Sequence, residues 1–82
     1  MEKNGSNIKT STIYIQLLNE GTTVYRPALG EILGNGIYKI LATENYDPED
    51  EEWEFLPGSI VKCENKKLER GIFLVAVSKI EN

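Results

Sequence analysis

Between Thr12 and Leu18 the chain alternates, with Ile13, Ile15 and Leu17 on one side and Tyr14, Gln16 and Leu18 on the other. Side chains on a strand repeat every second residue, so this stretch predicts a strand with one more apolar face. Asn19-Glu20-Gly21 suits a three-residue hairpin loop in which Gly21 supplies the positive φ. Thr22-Thr23-Val24-Tyr25-Arg26 restarts a strand rich in β-branched and aromatic residues. Pro27 cannot donate to a ladder and marks an edge or a bend, past which residues 28–33 continue the strand. Gly34-Asn35-Gly36-Ile37 holds Asn-Gly between apolar flanks, a strong short hairpin signal, and residues 37–43 run back as the next strand.

From Glu44 to Glu51 the periodicity disappears. Asp47 as cap, Pro48 at the first position and Glu49, Asp50 and Glu51 behind them predict a helix start. No apolar stripe follows, so one turn is expected and no more. Residues 52–56 form a short strand that places Trp53 and Phe55 on one face. Leu56-Pro57-Gly58-Ser59 fits a type II turn, which splays strands and suits a barrel corner. In residues 59–64, Val61 and Cys63 share a face opposite Ile60 and Lys62. Asn65 to Gly71 reads as a charged loop or loose hairpin end, and Ile72 to Val77 as a closing strand buried on both faces. The fold class is therefore all-β, a small SH3-like barrel or a strongly bent antiparallel sheet of about 5–7 short strands. No helix longer than about one turn is expected.

Size and composition fit this pattern. The 82 residues make one domain near the lower limit for a single unstapled core. Residues 1 to 10, polar and aperiodic, are expected as a flexible arm, and residues 11 to 80 as the domain. The longest apolar run, Ile72 to Val77, is too short to span a bilayer, and the N-terminus lacks the apolar stretch of a signal peptide. A cytoplasmic location without membrane contact follows as the expectation. The single cysteine precludes an internal disulfide, and the absence of histidine removes the commonest general base and zinc ligand.

The net charge of −4 conceals an asymmetry. Residues 44 to 54 carry seven acids and no base, namely Glu44, Asp47, Glu49, Asp50, Glu51, Glu52 and Glu54. Six acids against nine bases remain elsewhere, so a mildly basic body carries an acidic knob. The knob reads either as a solvated turn or as a docking site for a basic partner. Arg26, one of two arginines, follows Tyr25; its planar fork suits an internal carboxylate such as Glu20 or a member of the acidic turn, or else a ligand. The candidate partner-binding residues are Asp47, Glu49, Asp50, Glu51, Glu52, Glu54, Arg26 and Tyr25.

Several chemistries fall away. Cys63 in an alternating strand reads as a small core hydrophobe, with no histidine to activate it. An EF-hand loop opening at Asp47 would place Glu52 where glycine is needed and Gly58 where a bidentate glutamate is needed. Gly30, Gly34 and Gly36 are followed by neither a helix nor a Lys-Ser/Thr pair, so they are turn glycines, not a phosphate loop. The four tyrosines, Tyr14, Tyr25, Tyr38 and Tyr46, are expected to cover the core with their rings. No Lys or Arg cluster flanks them in the chain, so nucleic-acid binding is unlikely on this reading. No catalytic residue, cofactor or metal site is expected.

Leu18-Asn19-Glu20-Gly21-Thr22, Val24-Tyr25-Arg26-Pro27, Trp53-Glu54-Phe55, Pro57-Gly58 and Val61-Lys62-Cys63 together resemble a pattern that recurs in small bacterial proteins of about this length. The likeness covers roughly residues 13 to 77; it implies a shared fold and brings no activity, cofactor or catalytic residue. Pro57-Gly58-Ser59-Ile60-Val61 also resembles the turn-and-strand element of SH3-like barrels. The function expected is a small non-enzymatic protein- or peptide-binding module, as a monomer or weak homodimer, using an aromatic-lined groove or a strand edge. The alternative is an acidic inhibitor or immunity-type protein whose residues 44 to 54 block a basic site. A nucleic-acid-binding barrel comes third.

Overall fold

The computed structural model describes residues 8–42 and 47–80. Six strands follow one another: β1 Thr10–Leu18, β2 Tyr25–Gly34, β3 Ile37–Ile40, β4 Glu52–Trp53, β5 Ile60–Leu68 and β6 Gly71–Lys79. Five of them close a ring in the order β1-β2-β3-β5-β6, and β4 attaches beside β1 through Leu17 and Trp53. Neighbours in the ring are antiparallel except β6 and β1, which meet in parallel at Tyr14 and Val75. One parallel pair is unavoidable, because an odd number of alternating strands cannot close a ring otherwise. The chain is thus all-β and barrel-like. Among the described residues no helix is long and apolar enough to cross a membrane.

The alternation of β1 is realised as expected, with Ile13, Ile15 and Leu17 buried. They meet Ala28, Ile40, Trp53, Val61, Cys63 and Ala76 in one cluster to which every strand contributes. Val24, Tyr38, Phe55 and Leu74 pack around it. Each buried aliphatic side chain contributes about 1.5–3 kcal/mol, so the ring closes around its own core.

Two devices bend the strands. In β2, Ile32 faces Tyr38 and Gly34 faces Ile37, so Leu33 is an extra residue. In β6, Ser78 faces Lys62 and Ala76 faces Cys63, so Val77 is another. Bulges of this kind increase the local twist that a small barrel needs. Asn35 (φ 57°) and Gly36 (φ 78°) form the expected tight hairpin turn. The Leu56–Ser59 turn also forms: Gly58 has φ 94°, and the Ser59 N–H donates to the Leu56 carbonyl at 3.0 Å. It is tied to β3 by the Gly58 N–H on the Ile40 carbonyl at 2.7 Å.

Several boundaries differ from the expectation. The first loop is longer than three residues, since β2 begins at Tyr25 instead of Thr22. Its left-handed residue is Asn19 (φ 62°) and not Gly21, asparagine being one of the few side chains that tolerate this region. The third strand ends at Ile40, and β4 keeps only two residues because Glu54 and Phe55 bend away. Asn65 to Gly71 is ladder almost to its tip: pairing runs to Leu68 and Gly71 around Glu69-Arg70. Charged side chains did not prevent this, because the ladder is made by the backbone and both faces there reach water. For the same reason the closing strand is not buried throughout; Ile72 is 71% exposed, while Val75 and Ala76 are buried. The arm expected over residues 1 to 10 lies outside the described residues up to residue 7. Beyond it, the Lys9 carbonyl already accepts from the Ile32 N–H at 2.8 Å and Thr10 opens β1.

Candidate functional site

Within the acidic segment, residues 47–51 fold as a single turn. The Asp47 carbonyl accepts the N–H groups of Asp50 (3.0 Å) and Glu51 (3.1 Å), and its side-chain Oδ1 accepts that of Glu49 at 2.9 Å. Asp47 therefore caps the turn, Pro48 opens it, and the carboxylates of Glu49 and Asp50 stand in solvent. Glu44 and Tyr46 lie outside the described residues.

Behind the turn, Glu51 joins the acidic segment to the barrel. Its Oε2 pairs with Arg26 Nη2, and its Oε1 accepts the Trp53 Nε1–H at 3.1 Å. These two hydrogen bonds, Arg26 first, hold the Glu51 carboxyl below its ordinary range. Of the uses open to Arg26, the ion pair with a member of the acidic turn is present. Trp53 is 3% exposed and belongs to the core. Glu52 accepts from the Asn19 side chain, and the Glu54 N–H donates to the Gln16 carbonyl at 2.9 Å. The segment is fastened to the end of β1 at several points.

This fastening creates a cleft of about 260 Å³ lined by Glu20, Glu49, Asp50, Glu51 and Glu52 with Leu18, Asn19 and Pro48. Four of the predicted acids are brought together there, joined by Glu20 from the β1–β2 loop. Asp47 and Glu54 are exposed outside its lining. Among the described residues, no group of three or more Cys, Asp or Glu is placed to hold a metal ion.

Tyr25 lies elsewhere. With Tyr14, Thr23 and Val24 it faces Leu68, Glu69, Arg70 and Phe73 of the β5–β6 hairpin across an open groove of about 570 Å³. Tyr14 and Phe73 meet edge to face, with centroids 5.0 Å apart and planes at 77°, an arrangement favoured by the ring quadrupoles. Their half-buried rings make the groove largely apolar. Tyr38 covers the core as expected, whereas Tyr14 and Tyr25 line this groove. No run of basic residues flanks these tyrosines in the chain, but the fold brings two from the β5–β6 hairpin near the groove. Arg70 lines the groove, and Lys66 is the cross-strand neighbour of Phe73. Sequence separation hides both, since a polar stretch that reads equally as a loop or a hairpin end does not show which strand it will face. The pairing of Gln16 with Tyr25, which sets Tyr25 diagonal to Tyr14, follows from the register of β1 and β2.

Cys63 is buried, and burial pushes its thiol up to about 11, so it is protonated at neutral pH. A nucleophile would need the opposite shift. Comparison with known proteins finds no matching family model, no matching curated protein and no matching solved structure.

Proposed function

We propose that the chain is a small non-enzymatic module that holds an extended segment of a partner protein in the groove between the β1–β2 loop and the β5–β6 hairpin. The observation that carries this reading is the groove itself, where Tyr14, Tyr25 and Phe73 converge with Leu68 and Val24. Aromatic side chains that stay half exposed offer large contact area at little cost in conformational freedom. In this reading the module works in the cytoplasm as a monomer or weak homodimer, and its kinship with SH3-like barrels belongs to the same proposal. The test is to purify a partner captured from the source cell and titrate it against the wild-type protein and Tyr25→Ala. A loss of affinity of about tenfold or more in a folded variant supports the groove. Equal affinities would remove it.

A second reading has its own support in the acidic cleft, where five carboxylates line one concavity. An inhibitor that plugs the basic site of an enzyme would present such a surface. Its binding would weaken steeply with salt, and that of an apolar groove would hardly respond.

A further inference from the structure

One loop forms part of the wall of both the groove and the acidic cleft. Leu18, Asn19 and Glu20 of the β1–β2 loop line the cleft, and Thr23, Val24 and Tyr25 line the groove. Three residue steps separate Glu20 from Thr23, and an extended chain advances at most about 3.6 Å per residue, so the two linings approach within roughly 11 Å along the backbone.

We infer that the segment held in the groove is cationic: a peptide whose apolar or aromatic side chain enters between Tyr25 and Phe73 while a Lys or Arg a few residues away lies against the cleft. This rests on the groove reading above and adds the chemistry of its occupant. The groove is lined by one charge of each sign, Glu69 and Arg70, with Lys66 beside Phe73. The decision falls to the field next to it. Arg26 neutralises Glu51, and the carboxylates of Glu20, Glu49, Asp50 and Glu52 set the sign there. An acidic peptide or a single-stranded nucleic acid would meet repulsion at that wall, even with Arg70 and Lys66 beside the aromatic rings. Glu20 and Tyr25 are five residue steps apart, at most roughly 18 Å, so the cation falls within about five extended residues of the anchor.

The test is selection of a random peptide library displayed on phage against the immobilised full chain, followed by titration of the enriched peptides. Expected are peptides with Lys or Arg within about five residues of an aromatic or aliphatic anchor. Their affinity should fall about tenfold or more in Tyr25→Ala. It should fall about three- to tenfold when Glu49→Gln and Asp50→Asn, both at exposed sites, are combined. Added salt should weaken it further. Peptides that need Tyr25 but carry no basic residue, or ignore the charge variant, overturn the cationic occupant and leave the groove standing. Peptides indifferent to Tyr25→Ala, or no enrichment at all, overturn both. Amide chemical-shift mapping on the wild-type protein needs no variant: changes at residues 18–25 and 68–73 support the assignment, and changes confined elsewhere refute it.

Discussion

Gly30→Ala tests the closure of the barrel with a single methyl group. Gly30 pairs with Ser11 of β1 on one side and Ile40 of β3 on the other, where β2 passes from one neighbour to the next. A Cβ at this position would stand 2.9 Å from Ile13 Cδ1 and 3.2 Å from both its Cγ atoms. Ile13 is 0% exposed, so its side chain has no solvent to swing into. Gly30 is not among the residues of positive φ, so alanine is acceptable to the backbone. Restricting the unfolded chain would even favour alanine by roughly 0.4–1 kcal/mol. Against this stands an overpacking cost of roughly 1–3 kcal/mol. The contact wins, and we expect a net loss of about 1–2 kcal/mol.

Ile13→Val separates this contact from other effects. Alone it should cost about 0.5–1.5 kcal/mol, as the loss of one fully buried methyl. Combined with Gly30→Ala it removes the atom at 2.9 Å, leaving only the 3.2 Å contacts. The double variant should therefore be more stable than the sum of the single effects by about 0.5 kcal/mol or more. Urea unfolding followed through the sole tryptophan, Trp53, gives each midpoint and slope. A Gly30→Ala protein as stable as wild type, or strict additivity in the double variant, would refute the reasoning.

Trp53→Ala removes a 3% exposed ring and its bond to Glu51, at about 3–5 kcal/mol in a domain that holds little more; circular dichroism should show a largely unfolded chain. The wild-type emission should be blue-shifted and shielded from iodide, and a red, readily quenched emission would sink the core assignment. Glu51→Gln should cost at most about 1 kcal/mol near neutral pH, because Arg26 is 47% exposed and solvent screens the pair. The folded-state carboxyl lies below its ordinary value of 4.5, so the pair's contribution is present above that value and lost as pH falls through the folded one. The gap between wild type and Glu51→Gln in urea should accordingly close on acidification, and a gap that widens would reverse the assignment. Cys63, buried and with its thiol raised to about 11, should react with a thiol reagent at pH 8 far more slowly in the native than in the denatured protein. Fast native labelling would contradict the burial.

The acidic segment was legible as a capped single turn because Asp47-Pro48 acts within a few residues. The role of Arg26 was legible in kind, since a planar guanidinium suits a carboxylate and the acidic turn was among the candidates, but Glu51 was not singled out. The groove was not legible. Tyr14 and Phe73 are far apart in the chain, and their contact depends on β6 closing against β1 at a single parallel pair. The hairpin that carries Arg70 to Tyr25 reads as either a charged loop or a loose hairpin end, because composition does not report how far a backbone is paired.

The local chemistry of the chain determined its all-β class, its inward face at Ile13, Ile15 and Leu17, and its turns at Asn35-Gly36 and Pro57-Gly58. Each of these follows from a period of two or from backbone angles that few residues adopt. Tertiary structure decided the rest. Bulges at Leu33 and Val77 shifted the register between strands, and ring closure selected the neighbours of each strand. It also set the β1–β2 loop between the acidic cleft and the aromatic groove. These are properties of pairing between distant segments, whose free energy depends on what the partner strand presents and is written in no single stretch of the chain.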